Sequence, residues 1–315
     1  FRSNVDINLA KNFTVNLGLG GIVRRGNYPA PSMPEIFGAI NVTPPHAFPV
    51  RNPDDSPGGV NLGFLGRKPG AMITQSGYKV QNQSTLQGTF STKWDLSDLV
   101  AKGLSFNAKF AYDNYYQAWN NRHKTYEIRQ YLGEDPVTGE DRYQVHREEQ
   151  PLGYGWNNSS NRALYTEVSL NYNQAFGRHE FGGLLLLNRR DYVNITAGNS
   201  TANLPYRREG LAGRLTYGYD DRYLLEFNVG YNGSENFPSD KRYGLFPSVS
   251  GGWIISNEQF WNIDFISHLK FRGSYGQVGN DQIGGRRFLY VTTIDETGAN
   301  QNYHFGETPQ FYQGF

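Results

Sequence analysis

Six histidines are the first candidates for chemistry, because imidazole is the commonest metal ligand and proton carrier. His46, His123, His146, His179, His268 and His304 are scattered. No two stand in the H-x-x-x-H or H-E-x-x-H spacing that would put both rings on one helix face. The stretch GSYGQVGND at 273–281 is glycine-rich after a strand pattern, but no helical pattern follows to receive a phosphate. The acidic clusters NPDDSPGG (52–59) and GEDPVTGEDR (133–142) lack the ligand spacing and terminal Glu of a calcium loop and read as solvated turns. Asn157, Asn194 and Asn232 open N-x-S/T sequons, read as coincidental. Cysteine is absent, which removes disulfides and thiolate metal sites. These residues assemble no catalytic constellation, and no enzyme, metal or cofactor is expected.

Binding chemistry remains. Lys93, Lys109, Arg214, Glu226, Lys270 and Arg272 lie on the polar side of alternating segments. They would line a wet interior or hold whatever fills it. Tyr28, Phe48, Trp119, Tyr154 and Trp156 fall in two long connections. Flat rings of this kind stack on sugar faces and pack on peptide side chains, though loops of such size also need small cores of their own.

The elements that must carry these residues are strands. About ten segments alternate apolar and polar residues with a period of two: near 2–9, 13–23, 84–94, 104–116, 163–173, 179–190, 214–219, 223–231, 243–256 and 268–277. Short and long connections alternate along the chain, with the long ones at 24–83, 117–161 and 194–206 and a shorter tip near 232–242. In an up-and-down sheet this puts every short turn at one end and every long loop at the other, the layout of an outer-membrane β-barrel. Several segments approach the ~9–11 residues needed to cross a bilayer at a tilt. Tyr219 and Tyr223 flank a short turn, Tyr231 and Tyr243 flank a long tip, and Trp261 lies in another short connection, as expected of interfacial girdles. A soluble sandwich is the alternative, since tyrosine also favours ordinary strands. Composition fits the membrane reading: 22 Tyr, 20 Phe and 37 Gly, yet only 37% hydrophobic residues and no apolar run near the ~18 residues of a spanning helix. With 30 basic and 29 acidic residues and no basic run, nucleic acid is not an expected partner. The chain opens on Phe in a strand pattern, without a signal peptide, so an incomplete beginning is expected.

Register follows from the side-chain pattern. Pairing Tyr219 with Tyr223 around three residues sets Leu215 opposite Phe227 and Thr216 opposite Glu226, which keeps the faces unmixed. Arg222 is then an unusual residue for a left-handed turn position. The segment FGGLLLL (181–187) does not alternate cleanly.

Ten strands ending without a closing strand would leave two edges unpaired, which hydrocarbon does not tolerate. The segments LPYRREGLAGRLTYGYDDRYLLEFNVGYNGSENF (204–237), KRYGLFPSVSGGWIISNEQFW (241–261) and LKFRGSYGQVGND (269–281) resemble consecutive signatures of the SusC/RagA family of TonB-dependent transporters. RSNVDINLAKNFTVNLGLGG (2–21) resembles an earlier hairpin of that family; Asn232–Glu235 and Gly251-Gly252-Trp253 depart slightly from it. The resemblance implies a 22-stranded plugged barrel, of which residues 1–315 would be one segment, without the plug or the last strands. It further implies import of an oligosaccharide or oligopeptide through a bacterial outer membrane, with no covalent chemistry. Implied partners are a SusD-like surface lipoprotein, TonB with ExbB and ExbD acting through an amino-terminal region outside this segment, and outer-membrane lipid. The alternatives are a barrel with an anchoring or assembly role and a secreted carbohydrate-binding β-sandwich.

Overall fold

A computed structural model of the chain describes residues 1–61, 68–198, 200–263, 265–282, 284, 287–291, 303–304 and 311–312. Ten strands form one antiparallel sheet in which each pairs with its neighbour in sequence order, the two strands of an intervening hairpin aside. They are β1 (Arg2–Ala10), β2 (Phe13–Pro29), β3 (Gly77–Asp95), β4 (Leu104–His123), β7 (Gly155–Phe176), β8 (His179–Asn194), β9 (Tyr206–Tyr219), β10 (Tyr223–Ser234), β11 (Tyr243–Ile254) and β12 (Lys270–Gly276). The tight turns, between β1 and β2, β7 and β8, and β9 and β10, fall at one end of this sheet and the two longest connections, between β2 and β3 and between β4 and β7, at the other; the longer-than-expected connection 255–269 before β12 lies at the tight-turn end. Within the described residues β1 and β12 each pair on one side only, so the sheet is an unclosed, partial barrel.

Alternation sorts the side chains as the sequence requires. Leu185, Leu187, Leu215, Leu225, Phe227, Val249, Phe271 and Tyr275 all point to one face and all remain exposed, Leu215 at 66% and Tyr275 at 73%. A water-soluble monomer does not ordinarily carry so wide an apolar surface. The opposite face is hollow and polar. One groove of about 1100 Å³ there is lined by Glu226, Asn228, Ser250, Lys270, Arg272 and their neighbours. Another, of about 800 Å³, is lined by Asp6, Asn16, Thr89, Lys109 and Arg190 among others.

The pairing of β9 with β10 is the expected one: Tyr219 faces Tyr223, Leu215 faces Phe227 and Thr216 faces Glu226. The left-handed turn positions are Asp220 (φ 53°) and Asp221 (φ 51°) rather than Arg222. Aspartate tolerates that region better than arginine because its short polar side chain bonds locally. The Asp221 carbonyl accepts a hydrogen bond from Asn257 Nδ2 (2.7 Å), a contact that needs no side chain at 221. Asp221→Gly is therefore expected to raise stability by about 0.5 kcal/mol, and Asp221→Val to lower it, as read from urea unfolding midpoints.

Strands and loops divide differently from the sequence expectation. β2, β3, β4 and β7 run well past their alternating cores, to 17, 19, 20 and 22 residues. Much of what reads as long loop is strand. The loops also contain structure of their own: helices α1 (Met33–Val42) and α2 (Pro69–Thr74), and a hairpin of β5 (Ile128–Glu134) with β6 (Asp141–Arg147). Helix α1 begins with a capping box in which the Ser32 side chain and Glu35 bond reciprocally. Ile36, Ala39, Ala71, Met72, Tyr126 and Ile128 bury one another in a small core that ties the first two long loops together. The acidic clusters serve as turns. Asp135 accepts from the backbone N–H of Val137 and Thr138, and Asp54 accepts from Ser56 and Arg129.

Candidate functional site

The hollow face gathers the six predicted polar residues. Lys93, Lys109, Arg214, Glu226, Lys270 and Arg272 all share its parity in the continuous register of the sheet. They are spread out, however: Glu226, Lys270 and Arg272 line the larger groove and Lys109 the smaller. Glu226 accepts a hydrogen bond from Asn228 (2.7 Å). Leu184 and Leu186 also face the hollow, opposite Arg214 and Ala212, which is why FGGLLLL breaks the alternation: both faces there are apolar.

The aromatic residues separate into three groups. The first is Tyr28 and Trp119, which stand on the strand extensions of β2 and β4 rather than in loops. They meet on the hollow face, ring centroids 5.5 Å apart. Tyr28 folds over Gly26, where a Cβ would collide with its ring, and its hydroxyl donates to Gln81 Oε1 (3.1 Å). The second group is dispersed. Trp156 is also on a strand, β7, with the opposite parity, and is 65% exposed on the outer face. Tyr154 packs under the Arg122 guanidinium, and Phe48 lies apart in the first long loop. The five predicted loop aromatics therefore do not form one site; two of them do form a pair.

The third group is the outer-face belts. Tyr219 stacks on Tyr223 (6.4 Å) at the short-turn end, and Tyr231 on Tyr243 (5.1 Å) at the long-loop end. The short-turn belt has further members that sequence reading missed: Phe13 with Trp94, Phe176 with Phe181, and His179 against Tyr219. Their signal was present, since each sits at the last outward position of its strand, or for Phe181 the one before it. Trp261 instead stays in the connection after β11, half-buried, its Nε1 donating to the Ile266 carbonyl (3.0 Å). Beside it Glu258 accepts from Tyr223 (2.7 Å) and Trp253 (2.9 Å) and pairs with Arg222 (3.3 Å). The two neutral donors, then the guanidinium, hold its carboxyl below the usual range. His304 lies where side chains are outside the described residues, and no group of acids and histidines that could hold a metal occurs among the described ones.

At the long-loop end Asp281 ties the segment after β12 to the strand ends. Arg208 reaches both its oxygens (2.7 and 2.6 Å), and Ser234 donates to Oδ2 (2.6 Å). Burial alone would raise this carboxyl, but the Ser234 hydroxyl and the Arg208 guanidinium outweigh it and the net shift is downward. A depressed folded value gives stability that is complete above the unfolded value of about 3.9 and is lost as pH falls through the folded one. Acidification below about pH 4 is therefore expected to undock residues 277–282, seen as faster amide exchange there. Asp281→Asn should undock them at neutral pH as well.

No protein-family model matches the chain. Individual proteins do. The TonB-dependent receptor SusC of Bacteroides thetaiotaomicron is 37% identical over 97 residues, which is 30% of this chain and 10% of SusC. A TonB-dependent receptor of Formosa agariphila is 29% identical over 148 residues, 41% of this chain and 15% of that protein. Among solved structures, a chain of the RagAB peptide importer in its open-open state superposes with a TM-score of 0.63 over 95% of this chain and 34% of its own, at 15% identity. In the closed-closed state the TM-score is 0.56 over 87% of this chain and 32% of that one. The chain thus spans about a third of the RagAB chains it superposes on, and the matched stretches cover 15% or less of these curated relatives. In sequence the chain is similar to TonB-dependent receptors, SusC among them, and in fold it is an antiparallel partial barrel like the matching stretch of RagAB.

Proposed function

We propose that this chain is a segment of the barrel of a TonB-dependent outer-membrane importer, and that it binds and passes cargo without covalent chemistry. Its apolar face would meet lipid, its hollow face would line the passage, and its structured loops would stand outside the cell. The observation that carries this reading is the pairing of an exposed apolar face with a hollow polar one, on a sheet whose tightest turns all fall at one end. In a soluble protein that apolar face would need a second layer to cover it; in a bilayer it needs none.

The similarity to SusC and to the RagAB peptide importer supports an oligosaccharide or oligopeptide as cargo. It likewise supports a SusD-like surface lipoprotein and TonB with ExbB and ExbD as partners. Outer-membrane lipid is then the solvent of the apolar face. The domain reading follows: residues 1–315 belong to the barrel, and plug and closing strands belong to other parts of the protein.

The test is deletion of the gene, followed by growth and uptake on single glycans and single peptides. Loss of growth on one class, restored by the gene in trans, is the expected result. Normal uptake of every one would leave an anchoring or assembly role instead.

A further inference from the structure

Above the Tyr28–Trp119 pair lies a cavity of about 460 Å³ that belongs to neither groove. Its size falls within the ~300–1,000 Å³ of small-ligand sites. The sheet supplies its floor: Lys79 of β3 and Asn121 and His123 of β4. The roof comes from the loop core: Glu35 of α1, Lys124 and Arg147.

Two consecutive rows of the sheet set the geometry. Gly26, Gln81 and Trp119 form one row across β2, β3 and β4; Tyr28, Lys79 and Asn121 form the next inward row. Inward side chains two residues apart on a strand are ~6.5–7 Å apart. A tilted aromatic pair, its rings inclined by 43°, therefore adjoins a cationic, amide-bearing pocket at about the width of one sugar ring.

The charges are unbalanced. Glu35 is committed to the cap of α1 through Ser32, and Lys124 to Glu149 (2.7 Å). Lys79 makes no ion pair among the described residues. Arg147 donates from Nε to the Tyr126 carbonyl (2.9 Å) and lies 4.2 Å from that ring's centroid. Its Nη2 is enclosed without a hydrogen-bond partner, as is Asn121 Oδ1. Unmatched buried polar atoms are uncommon, so a small rotation of either side chain into the cavity, toward a ligand that satisfies it, is favourable, and a guanidinium is suited to an oxyanion.

We propose that the Tyr28–Trp119 pair and this cavity form one subsite for a sugar ring that carries an anionic group, a carboxylate or a sulfate. The ring's apolar face lies on the aromatic pair, and its anion enters the pocket toward Lys79 and Arg147. An acidic peptide such as an oligo-aspartate would satisfy the cations but has no ring with an apolar C–H face to place on Trp119. The proposal rests on the import reading and narrows its cargo class.

The experiment uses the parent protein purified in detergent from outer membranes, with tryptophan fluorescence and calorimetry as readouts. The probes are tetragalacturonate, a sulfated galactan tetramer, neutral galactotetraose and tetra-aspartate. The expected result is that one of the two anionic saccharides binds at least tenfold tighter than both the neutral one and the peptide; which one distinguishes carboxylate from sulfate. Lys79→Gln, on a strand whose ladder does not use the side chain, should remove most of that preference. Trp119→Phe should weaken the preferred anionic saccharide and the neutral one alike and leave the preference in place. Equal binding of the neutral tetramer, tetra-aspartate binding as tightly, no binding of any probe, or an unchanged preference in Lys79→Gln would each overturn the proposal. Uptake keeps the two readings apart. If neutral sugars or peptides enter cells but acidic sugars do not, only the subsite fails; if nothing enters, import itself fails.

Discussion

Arginine in place of Leu215 should cost about 2–4 kcal/mol of barrel stability, the depth-dependent penalty for a basic side chain on a lipid-facing position near the bilayer midplane. Leu215 is 66% exposed and lies between Gly183 and Phe227 in the middle of the apolar face. The adjacent residue supplies the control. Thr216 points into the hollow opposite Glu226, and on its other side is Gly182. An arginine there gains a cross-strand carboxylate and keeps its water, so the change should cost less than about 1 kcal/mol. Heat-modifiable migration of the outer-membrane protein in gels, together with urea midpoints in detergent, reads both. Equal losses at 215 and 216 would mean that both faces are packed against protein, and the lipid assignment would fall.

Alanine at Gly77 or Gly103 should be nearly as costly, for a different reason. Gly77 begins β3 with φ +91°, and Gly103 sits before β4 with φ +80°. A Cβ at Gly77 would overlap the Arg122 carbonyl oxygen, and one at Gly103 that of Asn173. Left-handed strain and backbone collision together are worth about 2–3 kcal/mol. Gly133 separates the two contributions: its φ is +97° but nothing lies within 4 Å of its Cβ position. Gly133→Ala should therefore cost only about 1 kcal/mol, the strain alone. If Gly77→Ala costs no more than Gly133→Ala in the same unfolding assay, the close approach between β3 and the end of β4 is not there.

How much of this was legible in the sequence depended on whether the two faces of a strand met different solvents. Between Tyr206 and Gly276 one face is apolar and the other polar, so alternation gave the order of strands and even the register of Tyr219 on Tyr223. Beyond the apolar band both faces are wet. Segments such as GYKVQNQ (77–83), QAWNNRH (117–123) and GWNNSSN (155–161) are mostly polar and carry too few apolar residues to extend the alternation, although each lies within a continuous ladder. That is why Tyr28, Trp119 and Trp156 looked like loop residues. Helix α1 was hidden in a proline-rich stretch, and its Ser32–Glu35 box was readable only by setting that density aside. The β5–β6 hairpin was concealed by its own acidic turn, where Asp135 caps the chain reversal. The cavity above Tyr28 was beyond reach, because it joins residues from β3, β4, α1 and β6 that only the packing of the loop core brings together.

The unequal strand lengths change the arithmetic of capture. At ~3.3 Å per residue and ~40° of tilt, a strand of β7's length rises about 55 Å, roughly twice the ~25 Å apolar band of such barrels. With β3 and β4 it would, on the barrel reading, make a wall standing well clear of the membrane, whereas β10, β11 and β12 have 12, 12 and 7 residues. A molecule released from that wall does not return at once to bulk solution. Confined within a radius of about 20 Å it is present at an effective concentration of roughly tens of millimolar, in the range that tethering achieves. A contact with millimolar affinity would stay mostly occupied under those conditions. On the import reading proposed above, weak, quickly reversible contacts along the wall would then be sufficient to keep cargo at the mouth of the passage, and each could release it without a tight site having to be broken.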